Sequence, residues 1–123
     1  MLARYTQIDY DREMALVAVA PGEDDPDGRE RIVGVVRYLR NPDGETCEFA
    51  VAVADAWQGR RLGATLMGAI IDAARAKGLR QIEGFVLGSN ARMIGLMGYL
   101  GFRVATDPED QTMKVVTMEL RQE

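Results

Sequence analysis

The spacing of hydrophobic and polar positions divides the chain into a strand-rich first half and a second half that contains helices. Three apolar runs of strand length occupy residues 14–20, 31–39 and 46–54. The third run alternates with a period of two, so one face of the predicted strand carries Cys47, Phe49, Val51 and Val53. Short connections between the runs predict three consecutive antiparallel strands.

Helical spacing begins after the third predicted strand. Apolar residues recur every three or four positions over residues 61–77, and Gly78 follows as a typical left-handed helix end. Residues 81–87 predict a fourth strand. Because one helix connects the third and fourth strands, we expect these two strands to be parallel neighbours.

The last third of the chain predicts a second helix and a closing pair of strands. Ser89 or Asn90 is a suitable cap for a helix over residues 91–100. The closing strands are predicted over residues 102–105 and 113–120, with a polar loop between them.

The predicted order of elements is β-β-β-α-β-α-β-β, which favours the α/β (α+β) class over a regular βαβ series. We expect a mixed, mostly antiparallel sheet flanked by helices. Residues 3–13 are polar with little periodicity, and they predict the end of a helix followed by a turn. No repeat or shift of composition divides the chain, so residues 1–123 are predicted to form a single domain.

The composition excludes several kinds of chemistry. The 123 residues include no histidine and one cysteine, so the sequence contains no Ser-His-Asp triad, no internal disulfide and no histidine-containing zinc site. We expect no metal. No apolar run approaches the about 18–20 residues that span a bilayer, and the first residues do not resemble a secretory signal. We therefore expect a cytoplasmic protein that does not bind membranes.

Charge is unevenly distributed along this acidic chain. The net charge of −4 argues weakly against nucleic-acid binding. Between Gln58 and Arg92, however, six basic residues stand against two acidic ones. Such a segment is typical of a site for an anionic small molecule, and a solvated helix face is the alternative.

Residues 54–64 connect a predicted strand to a predicted helix. A helix N-terminus has unpaired N–H groups and a partial positive charge, which suit a phosphate. Gly59 and Gly63 allow close approach of a ligand, while Arg60 and Arg61 can donate charge-assisted hydrogen bonds. The segment matches neither the Walker A nor the dinucleotide Gly-x-Gly-x-x-Gly pattern, and a plain connection is the alternative.

The same segment resembles the pyrophosphate loop of the GNAT superfamily of acyl-CoA N-acyltransferases, whose pattern is Gln/Arg-x-x-Gly-x-Gly/Ala. Gln58 and Gly63 match its first and last positions, whereas Arg61 stands where the first glycine is usual. A negative φ at Arg61 would be compatible with such a loop. Asn90 before the second helix and the Gly-Phe pair at 101–102 after it complete the resemblance.

A narrower resemblance links the chain to the GNAT domain of bacterial protein lysine acetyltransferases. It rests on residues 4–20, residues 48–51 and the loop at 57–64. This resemblance implies acetyl-CoA as cosubstrate and an amine acceptor, either a protein lysine or a small-molecule amine. A non-catalytic module that binds acyl-CoA for regulation is the alternative from a different class.

The resemblance also implies roles for individual residues. Glu48 would be the general base, because protonated lysine is not nucleophilic and a nearby carboxylate can take its proton. The backbone of Val51, Ala52 and Val53 would pair with the pantetheine arm, and Asn90 would contact the pantetheine or the thioester. Backbone N–H groups of the loop would bind the pyrophosphate, namely those of Gln58, Gly59, Arg60, Arg61, Leu62, Gly63 and Ala64.

Several of these residues have a structural alternative. Glu48 could be an exposed strand residue paired with an arginine, and Asn90 could be only a helix cap. Cys47 has no histidine to activate it and is interpreted as a small core residue. Many family members have a tyrosine acid on the last helix where this chain has Met97, and Tyr99 is two positions away. The thiolate would then leave without a side-chain acid or take a proton from water.

Members of the superfamily usually begin with a strand and one or two helices before the first strand predicted here. We expect this chain to lack that strand and helix, and so to be N-terminally short. Residues 14–20 would then form an apolar open edge of the sheet. We expect a second copy of the chain or a partner domain to cover this edge.

Overall fold

The computed structural model describes residues 4–9, 12–21, 30–58 and 61–121 of the chain. The described residues form seven strands, two α-helices and a short 3-10 turn at Asp55–Trp57. In chain order the strands and α-helices are β1 (Arg4–Asp9), β2 (Glu13–Pro21), β3 (Glu30–Arg40), β4 (Thr46–Val53), α1 (Leu62–Ala76), β5 (Gln81–Leu87), α2 (Ala91–Leu100), β6 (Arg103–Thr106) and β7 (Met113–Glu119).

The seven strands form one sheet in the order β1-β2-β3-β4-β5-β7-β6. β4 and β5 are parallel and are connected through α1, whereas the other neighbouring strands are antiparallel. This arrangement confirms the predicted mixed, mostly antiparallel sheet with helices. It also confirms the crossover between β4 and β5, which needs a long connection because the two strands run in the same direction.

The connection between β3 and β4 fixes the register of the central strands. Asp43 accepts hydrogen bonds from the backbone N–H groups of Thr46 (2.9 Å) and Glu45 (2.8 Å), and these bonds lower the pKa of its carboxyl group. Gly44 has a φ of 71°, a left-handed conformation that glycine adopts at little cost. The resulting turn places Glu48 opposite Leu39 on β3.

Both helices cover the same face of the sheet. The buried stripe of α1, at helical spacing, consists of Leu62, Leu66, Met67, Ile70, Ile71 and Ala74. Gly78 has a φ of 77° just after α1, as predicted, and Gly101 has a φ of 99° at the end of α2. Among the described residues no helix covers the opposite face of the sheet. On that face Phe85 and Leu87 of β5 are 46% and 55% exposed.

The N-terminal segment differs from its prediction. Residues 4–9 form a strand, β1, that pairs antiparallel with β2 from Arg4 opposite Val19 to Asp9 opposite Met14. The predicted helix end and the predicted lack of an N-terminal strand are therefore wrong. The polar content of the segment obscured the β-propensity of Tyr5, Thr6 and Ile8.

This correction removes the reason for expecting a partner along residues 14–20. β2 lies between β1 and β3 over residues 14–19, so this part of the strand is paired on both sides. Among the described residues no helix precedes β2.

Candidate active site

β4 and β5 are neighbours for only part of their length. Their pairing covers residues 46–48 of β4 and 81–83 of β5, whereas β4 continues to Val53 and β5 continues to Leu87. On the side that faces β5, the backbone of β4 beyond Glu48 therefore has no strand partner. Unpaired strand N–H and C=O groups can hydrogen-bond an extended ligand. The residues predicted to hold pantetheine, 51–53, lie in this part of β4.

Phe49 lies where β4 and β5 separate, and its side chain packs on the face of the sheet that the helices cover. Its ring lies directly against Gly84 of β5, where an added Cβ would collide with ring atom Cε1. The ring also packs on Phe102, with centroids 5.5 Å apart and planes tilted by 58°. Because successive strand residues point to opposite faces, this packing directs the neighbouring Glu48 to the helix-free face.

Glu48 lies at the last paired position before the two strands separate. It is exposed, and its strand neighbours are Leu39 on β3 and Glu83 on β5. The Glu48 carboxylate has no ion pair or hydrogen bond with another described residue, so the interpretation as an arginine partner finds no support there. A carboxylate in this position is accessible to an amine that approaches from the helix-free face.

A cleft of about 640 Å³ opens where β4 ends against the first turns of α1 and α2. Its described lining consists of Val53, Gln58, Arg61, Gly63, Ala64, Asn90, Arg92, Met93, Leu96 and Tyr99. The first six of these were predicted as cofactor-binding residues from the sequence. The cleft and the separated part of β4 meet at Val53, so one extended ligand can contact both.

Four lining residues were missed by the sequence analysis, and all of them belong to α2. Arg92, Leu96 and Tyr99 are spaced by four and three positions, so they lie on one side of the helix, and Met93 lies beside them. This spacing is visible in the sequence. Nothing in the sequence, however, distinguishes this side of α2 from the side that buries Met97 in the core.

The first turn of α1 supplies backbone donors to the cleft. The first N–H groups of an α-helix have no acceptor within the helix and lie at its positive end. Gly63 and Ala64 line the cleft with this turn, while the side chain of Leu62 is buried in the core. At Gly63 an added Cβ would come within 3.4 Å of Leu96 Cδ2, so a small residue here allows α2 to approach α1 closely.

Arg61 occupies the position immediately before α1 with φ 64° and ψ 7°. The negative φ that would make an arginine compatible with this loop is therefore absent. The left-handed conformation explains why the family pattern has glycine here, since a Cβ is crowded in it. Arg61 adopts this conformation at a cost in stability, and it places a cation at the cleft.

We expect the substitution Arg61→Gly to raise the stability of the fold. Removing the side chain relieves a left-handed conformation that costs a non-glycine residue about 1 kcal/mol, which corresponds to about 4 °C in Tm for a domain of this length. Thermal unfolding followed by circular dichroism measures the change. Arg61→Ala is the matched control, because it removes the same charge and keeps the Cβ. Equal melting temperatures of the two variants would contradict this explanation.

Gln58 joins two of the elements that surround the cleft, β4 and α2. Its Nε2 lies 3.3 Å from the carbonyl oxygen of Val53 and 3.3 Å from Oδ1 of Asp55, and its Oε1 accepts from Nη1 of Arg92 at 3.3 Å. The side chain therefore connects the end of β4 to α2. Gly59 and Arg60, also predicted to bind pyrophosphate, lie outside the described residues.

Asn90 caps α2, as one of its two interpretations predicted. Its Oδ1 accepts a hydrogen bond from the backbone N–H of Met93 at 3.1 Å. The residue also lines the cleft, and the Nδ2 donors are the part of the amide that can bind a ligand. Its contact with pantetheine or thioester stays a prediction.

Three positions considered for a nucleophile or an acid have contrasting surroundings. Cys47 is fully buried, and desolvation raises the pKa of its thiol to about 12, which fits a core residue and not a nucleophile. Met97 is also fully buried. Tyr99 is 84% exposed at the rim of the cleft.

Two further observations concern metals and membranes. Among the described residues, no group of three or more Cys, Asp or Glu side chains is arranged to hold a metal ion. Neither α1 nor α2 combines the length and the apolar character of a membrane-spanning helix.

Comparison with known proteins identifies relatives over most of the chain. The sequence profile described as "Acetyltransferase (GNAT) family" matches residues 2–102. An acetyltransferase of Pseudomonas aeruginosa is 38% identical over 120 residues, which cover 98% of this chain and 62% of that protein. The chain thus spans less than two thirds of the length of this relative. The L-methionine sulfoximine/L-methionine sulfone acetyltransferase of Pseudomonas aeruginosa is 40% identical over 60 residues, 49% of this chain and 35% of that protein.

Solved structures contain the same arrangement of strands and helices. The GNAT domain of S. lividans PAT superposes with a TM-score of 0.75 and 26% sequence identity. The superposition covers 94% of this chain and 65% of that chain.

Proposed function

The chain belongs to the GNAT family of acetyltransferases, as its sequence pattern predicted, and from this premise we propose that it transfers an acetyl group from acetyl-CoA to the side-chain amine of a protein lysine. The observation that carries the proposal is the separation of β4 from β5 immediately after Glu48. The Glu48 carboxylate, the unpaired backbone of β4 and the cleft at the start of α1 therefore follow one another along β4.

Acetyl-CoA would lie along this line. The pyrophosphate binds at the first turn of α1, where Gly63 and Ala64 present backbone donors and Arg61 adds a positive charge. The pantetheine arm follows β4 from Val53 toward Glu48 and hydrogen-bonds the backbone that has no strand partner. The thioester then lies near the junction of the two strands.

Glu48 would act as the general base in a direct attack. It takes a proton from the lysine ammonium, directly or through a water, and the neutral amine attacks the thioester carbonyl carbon. A C–N bond forms and the C–S bond breaks, the attacking nitrogen gives its second proton to water, and the CoA thiolate takes a proton from water. A backbone N–H of the separated strand stabilises the oxyanion of the tetrahedral intermediate.

The surroundings of Glu48 favour a cationic acceptor. Glu83 is its register partner on β5, and Leu39 is its partner on β3. Two neighbouring carboxylates attract an ammonium group and repel the carboxylate of a free amino acid. Leu39, which is 54% exposed, offers an apolar contact for the aliphatic part of a lysine side chain.

A small-molecule amine is the second candidate acceptor. It is favoured by the name of one relative, an L-methionine sulfoximine/L-methionine sulfone acetyltransferase that matches half of this chain. A non-catalytic acyl-CoA-binding module is the third candidate, and Met97 in the position of the usual tyrosine acid favours it.

The acceptor class can be tested by measuring thiol release from acetyl-CoA in the presence of three acceptors. We expect release with a lysine peptide whose α-amine is blocked, and none with the same peptide carrying arginine or with free methionine. Faster release with methionine than with the lysine peptide would contradict the protein acceptor. Binding of acetyl-CoA without release to any amine would favour the non-catalytic module.

We further propose that residues 1–123 act as one catalytic domain in the cytoplasm. The single sheet of the described residues supports one domain. A second copy or a partner domain is no longer required along β2, because β1 occupies that position.

A further inference from the structure

The cleft has two positive charges on different elements. Among its described lining residues, Arg61 and Arg92 are the charged side chains, and none is acidic. Arg61 precedes α1, whereas Arg92 lies in the first turn of α2. The cleft is therefore suited to a ligand with more than one anionic group.

The guanidinium of Arg92 is oriented without being neutralised. Its Nη1 donates to Oε1 of Gln58 at 3.3 Å, and Gln58 is itself hydrogen-bonded to the carbonyl oxygen of Val53. An amide oxygen carries no net charge, so Arg92 keeps its full positive charge and most of its five donors for a ligand. Gln58 thus holds the guanidinium by one of its donors.

Two other arginines have carboxylate partners. Arg75 pairs with Asp72 at 3.7 Å, and Arg80 pairs with Glu45 at 3.6 Å. Neither of these arginines lines the cleft. Arg92 has no carboxylate partner among the described residues and does line the cleft, so its charge is available to an anion that binds there.

The charges of CoA match this arrangement. Besides the pyrophosphate, CoA has a phosphate monoester on the 3′ carbon of its ribose, which has a charge of about −2 at neutral pH. The first turn of α1 and Arg61 suit the pyrophosphate on one wall. Arg92 lies on a different element from Arg61 and is a second cation that a separate phosphate group can bind.

We propose that Arg92 binds the 3′-phosphate of CoA and that Gln58 is its positioning residue. This inference rests on the proposed function and deepens it, since it identifies the part of the cosubstrate that α2 recognises. The protein then distinguishes CoA thioesters from thioesters that lack this phosphate. A charge-assisted contact of this kind changes affinity by about 10-fold to 100-fold.

Calorimetric titration with CoA and with 3′-dephospho-CoA tests the proposal. We expect the unmodified protein to bind CoA about 10-fold to 100-fold more tightly than 3′-dephospho-CoA. In Arg92→Ala and Arg92→Gln the preference should disappear, with the affinity for 3′-dephospho-CoA changed less than about threefold. Arg103→Ala is the matched control, because it removes an exposed arginine on β6 that does not line the cleft, and it should keep the preference.

Two results would overturn the assignment. If the Arg92 variants lose affinity equally for both ligands, Arg92 contacts a group that the two ligands share, such as the pyrophosphate. If the unmodified protein binds both ligands equally well, no residue of the cleft recognises the 3′-phosphate, although the proposed function stands. Absence of binding to either ligand would instead contradict the proposed function itself.

Discussion

Replacing Glu48 by glutamine is expected to lower the rate of acetyl transfer at least about 100-fold. The amide cannot take a proton from the lysine ammonium, and the neutral amine is scarce near pH 7 because the pKa of lysine is about 10.4. The affinity for acetyl-CoA should stay the same, because the Glu48 side chain lies on the opposite face from the helices that form the cleft. Thiol-release kinetics measure kcat, and calorimetry measures Kd.

The dependence of the acetyl-transfer rate on pH is a second measurement, and it would not change if Glu48 had only a structural role. In Glu48→Gln the rate should rise about tenfold per pH unit below the pKa of lysine, because only the free amine attacks. Glu119→Gln is the matched control: Glu119 is an exposed glutamate on β7 that accepts a hydrogen bond from Gln81, which an amide oxygen can also accept. An unchanged rate in Glu48→Gln would exclude Glu48 as the general base.

The second large effect is expected for Ala64→Asp. Ala64 lies in the first turn of α1 and lines the cleft, so an aspartate here places a negative charge where the pyrophosphate binds. About 2 kcal/mol of like-charge repulsion lowers the affinity for acetyl-CoA about 30-fold. The same carboxylate interacts favourably with the helix dipole, so the melting temperature should stay constant or rise. Calorimetry and thermal unfolding measure the two effects separately.

Thr65→Asp provides the matched control for this charge. Thr65 is the next residue of α1, is exposed and does not line the cleft. The control should change the affinity for acetyl-CoA by less than about threefold, because an exposed charge is screened over longer distances. Equal losses of affinity in both variants would mean that the effect comes from net charge. An unchanged affinity in Ala64→Asp would place the pyrophosphate elsewhere.

Local patterns predicted the central elements of this fold from the sequence. The bounds of β5 and α2 agree with their predictions, and α1 differs by one residue at each end. In these elements the apolar residues recur at regular spacing, and residues such as Gly78 and Asn90 mark where the helices end or begin. β1 was missed because a polar sequence obscured its strand propensity, and its pairing with β2 depends on a contact that no local pattern encodes.

The separation of β4 from β5 could not be predicted from the sequence. It depends on where two strands stop pairing after a crossover, and on Phe49 packing between Gly84 and Phe102. Similarly, the role of Arg92 required the position of α2 relative to Gln58. The sequence placed residues 58 and 61–64 together at a helix start and Asn90 before α2, but it did not identify the other α2 residues that line the cleft.

The central claim is that the cleft and the separated strand bind acetyl-CoA. Calorimetric titration of the purified chain with acetyl-CoA tests it most directly. We expect saturable binding of one molecule per chain with a micromolar dissociation constant. No measurable binding at millimolar acetyl-CoA, by a chain that melts cooperatively, would contradict the claim and reduce the family relationship to one of fold.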